Sequence, residues 1–192
     1  GGKMSDVFTY NTEEALNQKP IQPQVQLLPL VGEDNPILKQ VVPEFNFDNP
    51  PINPNSLASS LVDTCKYYKG YGLSANQCGL SYRVFVMGAN EEYVAFFNPK
   101  IISTSGECHM IEGCLSFPLL GLRITRPQEI EVEYQDFNGV TRTAKYNGIS
   151  ARCFQHELDH MNGIVYTEKV KPMALQSGMS KRNKMIKKLR IR

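Results

Sequence analysis

The chain has 192 residues and a mass of 21.7 kDa, and 41% of its positions are hydrophobic, which suits one ordinary core and is too little for two independent domains. Its five cysteines are odd in number and irregularly spaced, so a disulfide scaffold is disfavoured, and no stretch resembles a secretory signal or a membrane-spanning run. We therefore expect a single domain over residues 1–192 that is a monomer, has no membrane partner and occupies a reducing, cytosol-like compartment.

The charge of the chain is unevenly distributed. Its net charge is +2, yet Lys and Arg dominate residues 177–192, which we treat as a basic C-terminal tail. Clustered cations neutralise phosphates, so this tail is able to contact the ribosome or another polyanion. A solvated face of a terminal helix explains the same charges without a partner, and we favour that explanation because such runs are common.

The beginning of the chain is rich in proline. Most of the 12 prolines lie within residues 1–54, where they restrict the backbone and interrupt helices. We expect an extended region with short turns there, and we define residues 1–24 as an extended N-terminal arm. Behind Asn55, apolar residues recur at helical spacing until Gly70, which predicts a helix over residues 55–69.

The middle of the chain is a series of apolar or β-branched runs, each of which predicts a strand. The runs cover residues 83–87, 93–97, 122–125, 129–134 and 140–146. The last two flank Asn138-Gly139, a pair that favours a hairpin turn. A helical stripe then predicts a second helix over residues 149–161, with Gly163 as its stop, and a third helix from about residue 177.

The strongest local motif is His156-Glu157-Leu158-Asp159-His160, in which two histidines stand four residues apart. Four residues of helix advance by roughly 400°, so both imidazoles lie on one face and can bind one ion. Glu157 lies about 100° away, where its carboxylate can exchange a proton with water activated by that ion. A chance pairing is disfavoured because the chain has only three histidines.

The pattern of strands and helices indicates the fold class. Strands occupy the centre of the chain, helices come before and after them, and there is no regular βαβ alternation. We expect an α+β fold in which largely antiparallel sheets pack around a central metal-binding helix, with an N-terminal helix and a C-terminal helix.

The identity of a third metal ligand distinguishes between families, because a catalytic centre of this kind takes three protein ligands and leaves one position for water. Metzincin proteases have a histidine where this chain has Tyr166, and the only acidic residue after His160 is the nearby Glu168. A metalloprotease is therefore a weak alternative. Cys108 and His109 are soft donors, but adjacent residues rarely reach one ion together, and we expect them to form a loop pair.

Three ordered motifs resemble a known family. They are Gly70-Tyr71-Gly72-Leu73-Ser74-Ala75-Asn76-Gln77, Glu112-Gly113-Cys114-Leu115-Ser116 and Gln155-His156-Glu157-Leu158-Asp159-His160. In order and spacing they are similar to the GxGLAAxQ, EGCLS and QHExDH motifs of the peptide deformylase family. The resemblance covers roughly residues 25–170, and it implies removal of the N-formyl group from the formyl-methionine of nascent polypeptides, with release of formate.

The resemblance also implies a site. It assigns one divalent metal ion to Cys114, His156 and His160, with Fe(II) as the cellular ion and zinc, nickel or cobalt as substitutes. It makes Glu157 the proton carrier, and it makes the Gln77 side chain and the Leu115 backbone N–H the donors to the oxyanion. The implied substrate-binding residues are Tyr71, Gly72, Gly113, Ile149 and Cys153.

Two features depart from the family pattern. Ser74 stands where alanine is usual and Cys78 where valine or isoleucine is common, and both are small changes in buried volume. Many bacterial members have an arginine shortly after the second motif, and Arg123 is the nearest candidate. A metal-stabilised RNA-binding module without catalysis is a further alternative, although Glu157 would then have no purpose. Formylated substrates imply a bacterial or phage-infected bacterial cytoplasm, or an organelle.

Overall fold

The computed structural model describes residues 27–191. The predicted arm of residues 1–24 lies outside the described residues. The elements in chain order are helix α1 (Pro54–Tyr67), strands β1 (Gly72–Ser74), β2 (Val84–Ala89), β3 (Glu92–Ser105), β4 (Cys108–Cys114), β5 (Phe117–Arg126), β6 (Glu129–Gln135) and β7 (Thr141–Asn147), and helices α2 (Gly148–Met161) and α3 (Pro172–Ile191). Short 3-10 turns lie at Pro36–Lys39, Ala75–Cys78 and Tyr166–Lys169.

The strands form two antiparallel sheets. One has five strands in the order β1-β2-β3-β6-β7, and the other is the two-stranded pair β4-β5. The predicted α+β class is confirmed, with one helix before the strands and two after them. In the five-stranded sheet β1 is an edge strand, paired with β2 alone among the described strands.

Helix α1 confirms the first predicted helix and corrects its end. The side chain of Asn53 accepts a hydrogen bond from the backbone N–H of Ser56, and Pro54 occupies the first turn, where its missing N–H is harmless. The helix ends at Tyr67, and the left-handed residue that follows is Lys69, at φ 57°, not Gly70. Gly70 has a packing role instead, because a Cβ there would lie 2.7 Å from Leu115 Cδ1.

The strand predictions are confirmed in outline. All five predicted runs fall in or next to strands, and β3 and β5 are longer than predicted. Gly139 has φ 80° in the hairpin between β6 and β7, as the Asn-Gly pair indicates. The prediction of a loop at Cys108 and His109 was wrong, because both lie in β4, where they pair with Arg126 and Thr125.

Helix α2 packs against the five-stranded sheet. Phe154 lies edge-on to Phe85 and Phe96, with ring centroids 5.0 and 5.1 Å apart, inside a core cluster of buried residues from α2, β2, β3, β6 and β7. The helix ends at Met161, and Gly163, at φ 71°, follows as the predicted stop. This packing fixes the face of α2 that carries His156 and His160.

The C-terminal helix is longer than predicted. It begins at Pro172, before residue 177, and packs against β5, where Gly178 comes so close to Leu122 that a Cβ would lie 2.8 Å from Leu122 Cδ2. Arg182 forms an ion pair of 2.8 Å with Glu33. The basic tail is therefore part of a docked helix. No helix among residues 27–191 is long and apolar enough to cross a membrane.

Candidate metal centre

Three side chains that are distant in sequence converge at one point. Cys114, at the end of β4, and His156 and His160, one turn apart on α2, bring their donor atoms within 4.8 Å of one another. The Sγ atom of Cys114 lies 3.5 Å from Nε2 of His160. His109 and Cys108 are not part of this cluster. The predicted ligand set is thus brought together by the fold.

The ring of His156 is held by Glu112. Its Nδ1 lies 2.8 Å from Glu112 Oε1, which leaves Nε2 for the cluster. Burial lowers the pKa of His156, but hydrogen bonds to Cys114 and Glu112 outweigh burial and raise it to about 10. The cluster therefore favours a positive charge beside the Cys114 sulfur, which is the electrostatic condition that a bound cation satisfies.

The carboxylate of Glu112 is part of a buried charge network. Arg126 donates to both of its oxygens, at 2.5 and 3.0 Å, and Arg152 donates to Oε2 at 2.5 Å. Arg126 also reaches Asp159 at 2.9 Å. Burial raises the pKa of Glu112, but His156 and Arg126 together lower it to about 2. Glu112 is therefore ionised and orients His156 as a carboxylate partner does behind a metal ligand.

His160 has the features of a neutral ligand. It is 1% exposed, and burial, followed by the nearby charges of His156 and Arg126, holds its pKa well below the usual value. Its Nδ1 atom has no hydrogen-bond partner within the described part of the chain. Its backbone carbonyl accepts a hydrogen bond of 2.7 Å from Asn76 Nδ2, which joins the end of α2 to the turn after β1. A thiolate and two imidazoles of this kind fit Fe(II), Zn or Ni.

Glu157 lies beside the cluster. Its Oε1 is 4.0 Å from Nε2 of His156, and its Oε2 has no hydrogen-bond partner among residues 27–191. Burial raises the pKa of Glu157, and although His156 and Arg126 oppose the shift, Glu112 adds to it, so that the pKa is about 7. A carboxyl group whose pKa lies near 7 can both take up and release a proton at physiological pH.

Gln77 is oriented by its neighbours. Its Oε1 accepts a hydrogen bond of 2.9 Å from the backbone N–H of Ser74, which directs Nε2 toward Cys114 Sγ at 3.4 Å and Ser116 Oγ at 3.0 Å. The hydroxyl of Ser74 lies 2.9 Å from the same Oε1 and 2.8 Å from Asn76 Oδ1. Sequence reasoning treated Ser74 as a change in volume and missed this polar contact.

The cluster opens into a cleft of 660 Å³. Leu115, His156 and Glu157 line this cleft. All of the residues predicted to bind substrate line it as well, namely Tyr71, Gly72, Gly113, Ile149 and Cys153. Gly72 belongs to the edge strand β1, and a Cβ there would lie 2.8 Å from Cys153 Sγ and 3.0 Å from Glu157 Cγ. Arg123, by contrast, is exposed and is not among the lining residues.

Sequence reasoning assigned no role to the residues that support the cluster. Glu112 and Asp159 lie inside the recognised motifs. Arg126 and Arg152 lie outside them, and no spacing pattern identifies either of them as part of the network. Their burial is the missing signal, because a buried arginine requires a carboxylate partner, and burial of a charged residue is not visible in one sequence.

Comparison with known proteins relates the chain to one family. The family model described as Polypeptide deformylase matches residues 27–176. A peptide deformylase of Thermotoga sp. (strain RQ2) is 37% identical over 140 residues, which are 72% of this chain and 84% of the relative. A peptide deformylase of Flavobacterium psychrophilum is 35% identical over 162 residues, covering 75% of this chain and 82% of the relative.

Solved structures show the same relationship. The crystal structure of a peptide deformylase from Synechococcus elongatus in complex with actinonin has a TM-score of 0.76 at 28% identity, covering 86% of this chain and 92% of that one. The structure from Legionella pneumophila has a TM-score of 0.76 at 29% identity, covering 87% and 99%. The metalloprotease and the non-catalytic RNA-binding module are thereby set aside. The chain belongs to the polypeptide deformylase family, whose members use a single divalent metal ion to remove the N-formyl group from nascent peptides.

Proposed function

We propose that Cys114, His156 and His160 hold the metal ion of this deformylase. The ion is Fe(II) in the cell, and zinc, nickel or cobalt can replace it. The observation that carries the proposal is the convergence of these three donors within 4.8 Å, beside the buried carboxyl of Glu157. One sulfur and two nitrogen donors suit these ions and leave a position for water or substrate. Such an ion supplies a Lewis acid that acidifies water and polarises a carbonyl.

Glu157 moves the proton in this proposal. Its pKa of about 7 and its unpartnered Oε2, among the described residues, allow it to accept a proton from the attacking water. The same carboxyl group then releases the proton to the departing amine, which gives formate and a free N-terminus. Burial of Glu157 keeps competing proton donors in bulk water away from this step.

Two hydrogen-bond donors of the chain stabilise the oxyanion, which is the negative charge that develops on the formyl oxygen when water attacks the formyl carbon. The Gln77 Nε2 group is aimed at Cys114 by the bond between Gln77 Oε1 and the Ser74 N–H, so it lies next to the ligand set before substrate arrives. The backbone N–H of Leu115 follows Cys114 directly in the chain and is the second donor. Donors placed before the reaction stabilise developing negative charge without a cost of reorganisation.

The substrate binds along the edge of β1. Gly72 lies on an edge whose described pairing is to β2 only, and its missing side chain allows an extended peptide to come close to Glu157. The methionine side chain enters the part of the cleft lined by Tyr71, Ile149 and Cys153, while Gly113, with no atom within 4 Å of its Cβ position, leaves further space in the same cleft.

The remaining assignments are broader. We propose that residues 1–192 form a monomeric single domain, with an extended arm at residues 1–24 and a basic tail at residues 177–192. We also propose that the enzyme acts in the cytoplasm of a bacterium or a phage-infected bacterium, or in an organelle. The exposed cations of α3, which include Lys184, Lys187 and Lys188, support a contact with the ribosome. Replacement of these three residues by Gln should weaken co-sedimentation with ribosomes, and unchanged co-sedimentation would refute the contact.

The central experiment is formate release from an N-formyl-Met peptide by protein loaded anaerobically with Fe(II). We expect rapid release by the wild type and almost none by Cys114→Ala or Glu157→Ala. Metal analysis separates the two variants, because Cys114→Ala should lose the ion and Glu157→Ala should keep it. Cys108→Ala is the matched control, since Cys108 lies in the same strand but outside the cluster. Normal turnover by Glu157→Ala would overturn its role as proton carrier.

A further inference from the structure

The outer part of the cleft has an apolar rim, which we define as Tyr68, Tyr71, Ile111, Pro118 and Leu119. All five residues line the cleft. The fractional exposures of the four large side chains are 40% for Tyr68, 55% for Tyr71, 71% for Ile111 and 43% for Leu119. Large apolar side chains grouped at the mouth of a binding cleft indicate a surface that is covered when a ligand binds.

The backbone presents one of these side chains at a conformational cost. Leu119 has φ 64°, a left-handed conformation that a bulky residue rarely adopts. Its neighbours Phe117 and Leu120 are buried in the core beneath β5, whereas Leu119 is turned outward to the cleft. Strained residues of this kind cluster where the side chain contacts a ligand.

The rim offers little to a charged ligand. The charged side chains of Glu112, Arg152, His156 and Glu157 line the cleft and are buried among the elements behind it. The one exposed charged side chain in the described lining is Lys69, which lies between Tyr68 and Gly70. The surface is therefore suited to apolar side chains and has one isolated cation.

The rim is continuous with the catalytic cleft, which identifies its occupant. The same cleft contains Cys114, His156 and Glu157, and the edge of β1 runs along it. An extended chain advances about 3.3 Å per residue, so the residues just after a formyl-methionine bound at the metal centre lie at the mouth of the cleft. The second and third residues of the substrate are therefore the part of a nascent chain expected at the rim.

We propose that the apolar rim binds apolar side chains at the second and third positions of the formyl-Met substrate, and that the enzyme therefore processes such chains faster. The proposal rests on the deformylase function described above and adds a preference among substrates. Half-burial of a leucine side chain is worth about a tenfold change in kcat/KM relative to a polar side chain of the same size.

The test uses four peptides of equal length: formyl-Met-Leu-Ser, formyl-Met-Asn-Ser, formyl-Met-Ser-Leu and formyl-Met-Ser-Asn. Asparagine has the same branched shape as leucine, with an amide in place of the two methyl groups, and carries no charge, so Lys69 does not bias the comparison. We expect kcat/KM for formate release to be about tenfold higher with Leu than with Asn at one or both positions. Equal values at both positions would overturn the proposal.

Variants assign the preference to the rim. Leu119→Asn keeps the branching of the side chain, suits the left-handed backbone and removes the apolar surface, so the Leu-to-Asn ratio should fall to about threefold or less. Ile102→Asn is the matched control, because Ile102 is 53% exposed on β3 and does not line the cleft. The ratio should be unchanged in that control.

The outcomes separate this proposal from the function on which it rests. Formate release from none of the peptides by metal-loaded protein contradicts the assigned activity. Release with no Leu preference contradicts the rim proposal alone. A preference that survives Leu119→Asn and Ile111→Asn together places the selectivity elsewhere and also overturns it.

Discussion

Glu112 and His156 are joined by a hydrogen bond of 2.8 Å between Oε1 and Nδ1, although they are 44 residues apart in the chain. Glu112 precedes Cys114 by two residues, so a single β4 segment supplies one member of the proposed ligand set and the orienting partner of another. The hairpin β4-β5 and the helix α2 are thereby linked at the cluster. Any change that shifts one of them alters the ligand geometry.

Substitution Glu112→Gln should destabilise the fold and weaken the metal site. It leaves the buried Arg126 and Arg152 without a carboxylate between them, a loss of about 3–5 kcal/mol in the free energy of unfolding. Loss of an orienting partner also lowers metal affinity by about 10- to 100-fold. Urea denaturation and competition with a chelator measure the two effects.

Glu133→Gln is the control for this substitution. Glu133 pairs with Lys100 at 3.4 Å on the surface, with side-chain exposures of 37% and 71%, so its loss should cost less than about 1 kcal/mol. Similar destabilisation by both variants would show that the buried network contributes no more to the free energy of unfolding than a surface ion pair does.

Substitution Gln77→Met should lower kcat by about 10²- to 10³-fold and leave KM within a few fold, because the amide donor acts on the charge that develops during the reaction. Methionine matches glutamine in length and has no N–H. Steady-state kinetics on a formyl-Met peptide provide the measurement. Gln155→Met is the control, since Gln155 is also buried and, among the described residues, donates to the Pro127 and Ala151 carbonyls, so it should lose stability but retain kcat.

Substitution Gly72→Ala should displace Glu157 and destabilise the fold by about 1–3 kcal/mol, because its Cβ would lie 2.8 Å from Cys153 Sγ. Thermal unfolding should therefore occur at lower temperature, and kcat should fall. Adding Cys153→Ala makes room for the methyl group and should recover much of the stability. Gly32→Ala is the control, since a Cβ at Gly32 meets no atom within 4 Å, and it should unfold like the wild type.

The Cys78 thiol should stay protonated far above its usual range. Burial, assisted by the charge of Glu157, raises the pKa of Cys78 to about 12, from 9.0. The unfolded chain loses this proton near pH 9 and the folded chain near pH 12, so the stability associated with Cys78 is complete below pH 9 and declines as pH rises to 12. Each pH unit in that window costs at most about 1.4 kcal/mol.

Two measurements follow for Cys78. The free energy of unfolding of wild type should fall more steeply between pH 9 and 12 than that of Cys78→Ala, and equal slopes would contradict the buried thiol. At pH 8, iodoacetamide should modify the partly exposed Cys108 before Cys78, which is 4% exposed, as read by peptide mass spectrometry.

The sequence predicts those elements whose pattern follows their burial. Helix α2 is predicted well because its apolar stripe and its two histidines share the helical period, and the ligand set follows from the family motifs. Strand β4 was missed because its pattern is inverted: Ile111 is 71% exposed, whereas Glu112 is 6% exposed. In β4 the exposed Ile111 lines the cleft, and the next residue, Glu112, belongs to the buried charge network.

Single residues also evade sequence reasoning when their role depends on distant partners. Gly70 reads as a helix stop, yet it is the contact with Leu115, 45 positions later, that leaves no room for a side chain there. Arg126 and Arg152 resemble ordinary surface arginines until the fold closes around Glu112. Long-range contacts of this kind have no spacing in one sequence, and the structure is needed to find them.

The segment before α1 has a consequence for the order in which the protein folds during synthesis. The backbone N–H of Val42 donates to Met161 O at 2.8 Å, and a Cβ at Gly163 would lie 2.6 Å from Lys39 O, so this early segment packs on the end of α2. A ribosome releases residues 39–42 long before residues 161–163. The early segment therefore makes these contacts only after α2 has emerged, which is also when His156 and His160 become available to complete the cluster with Cys114.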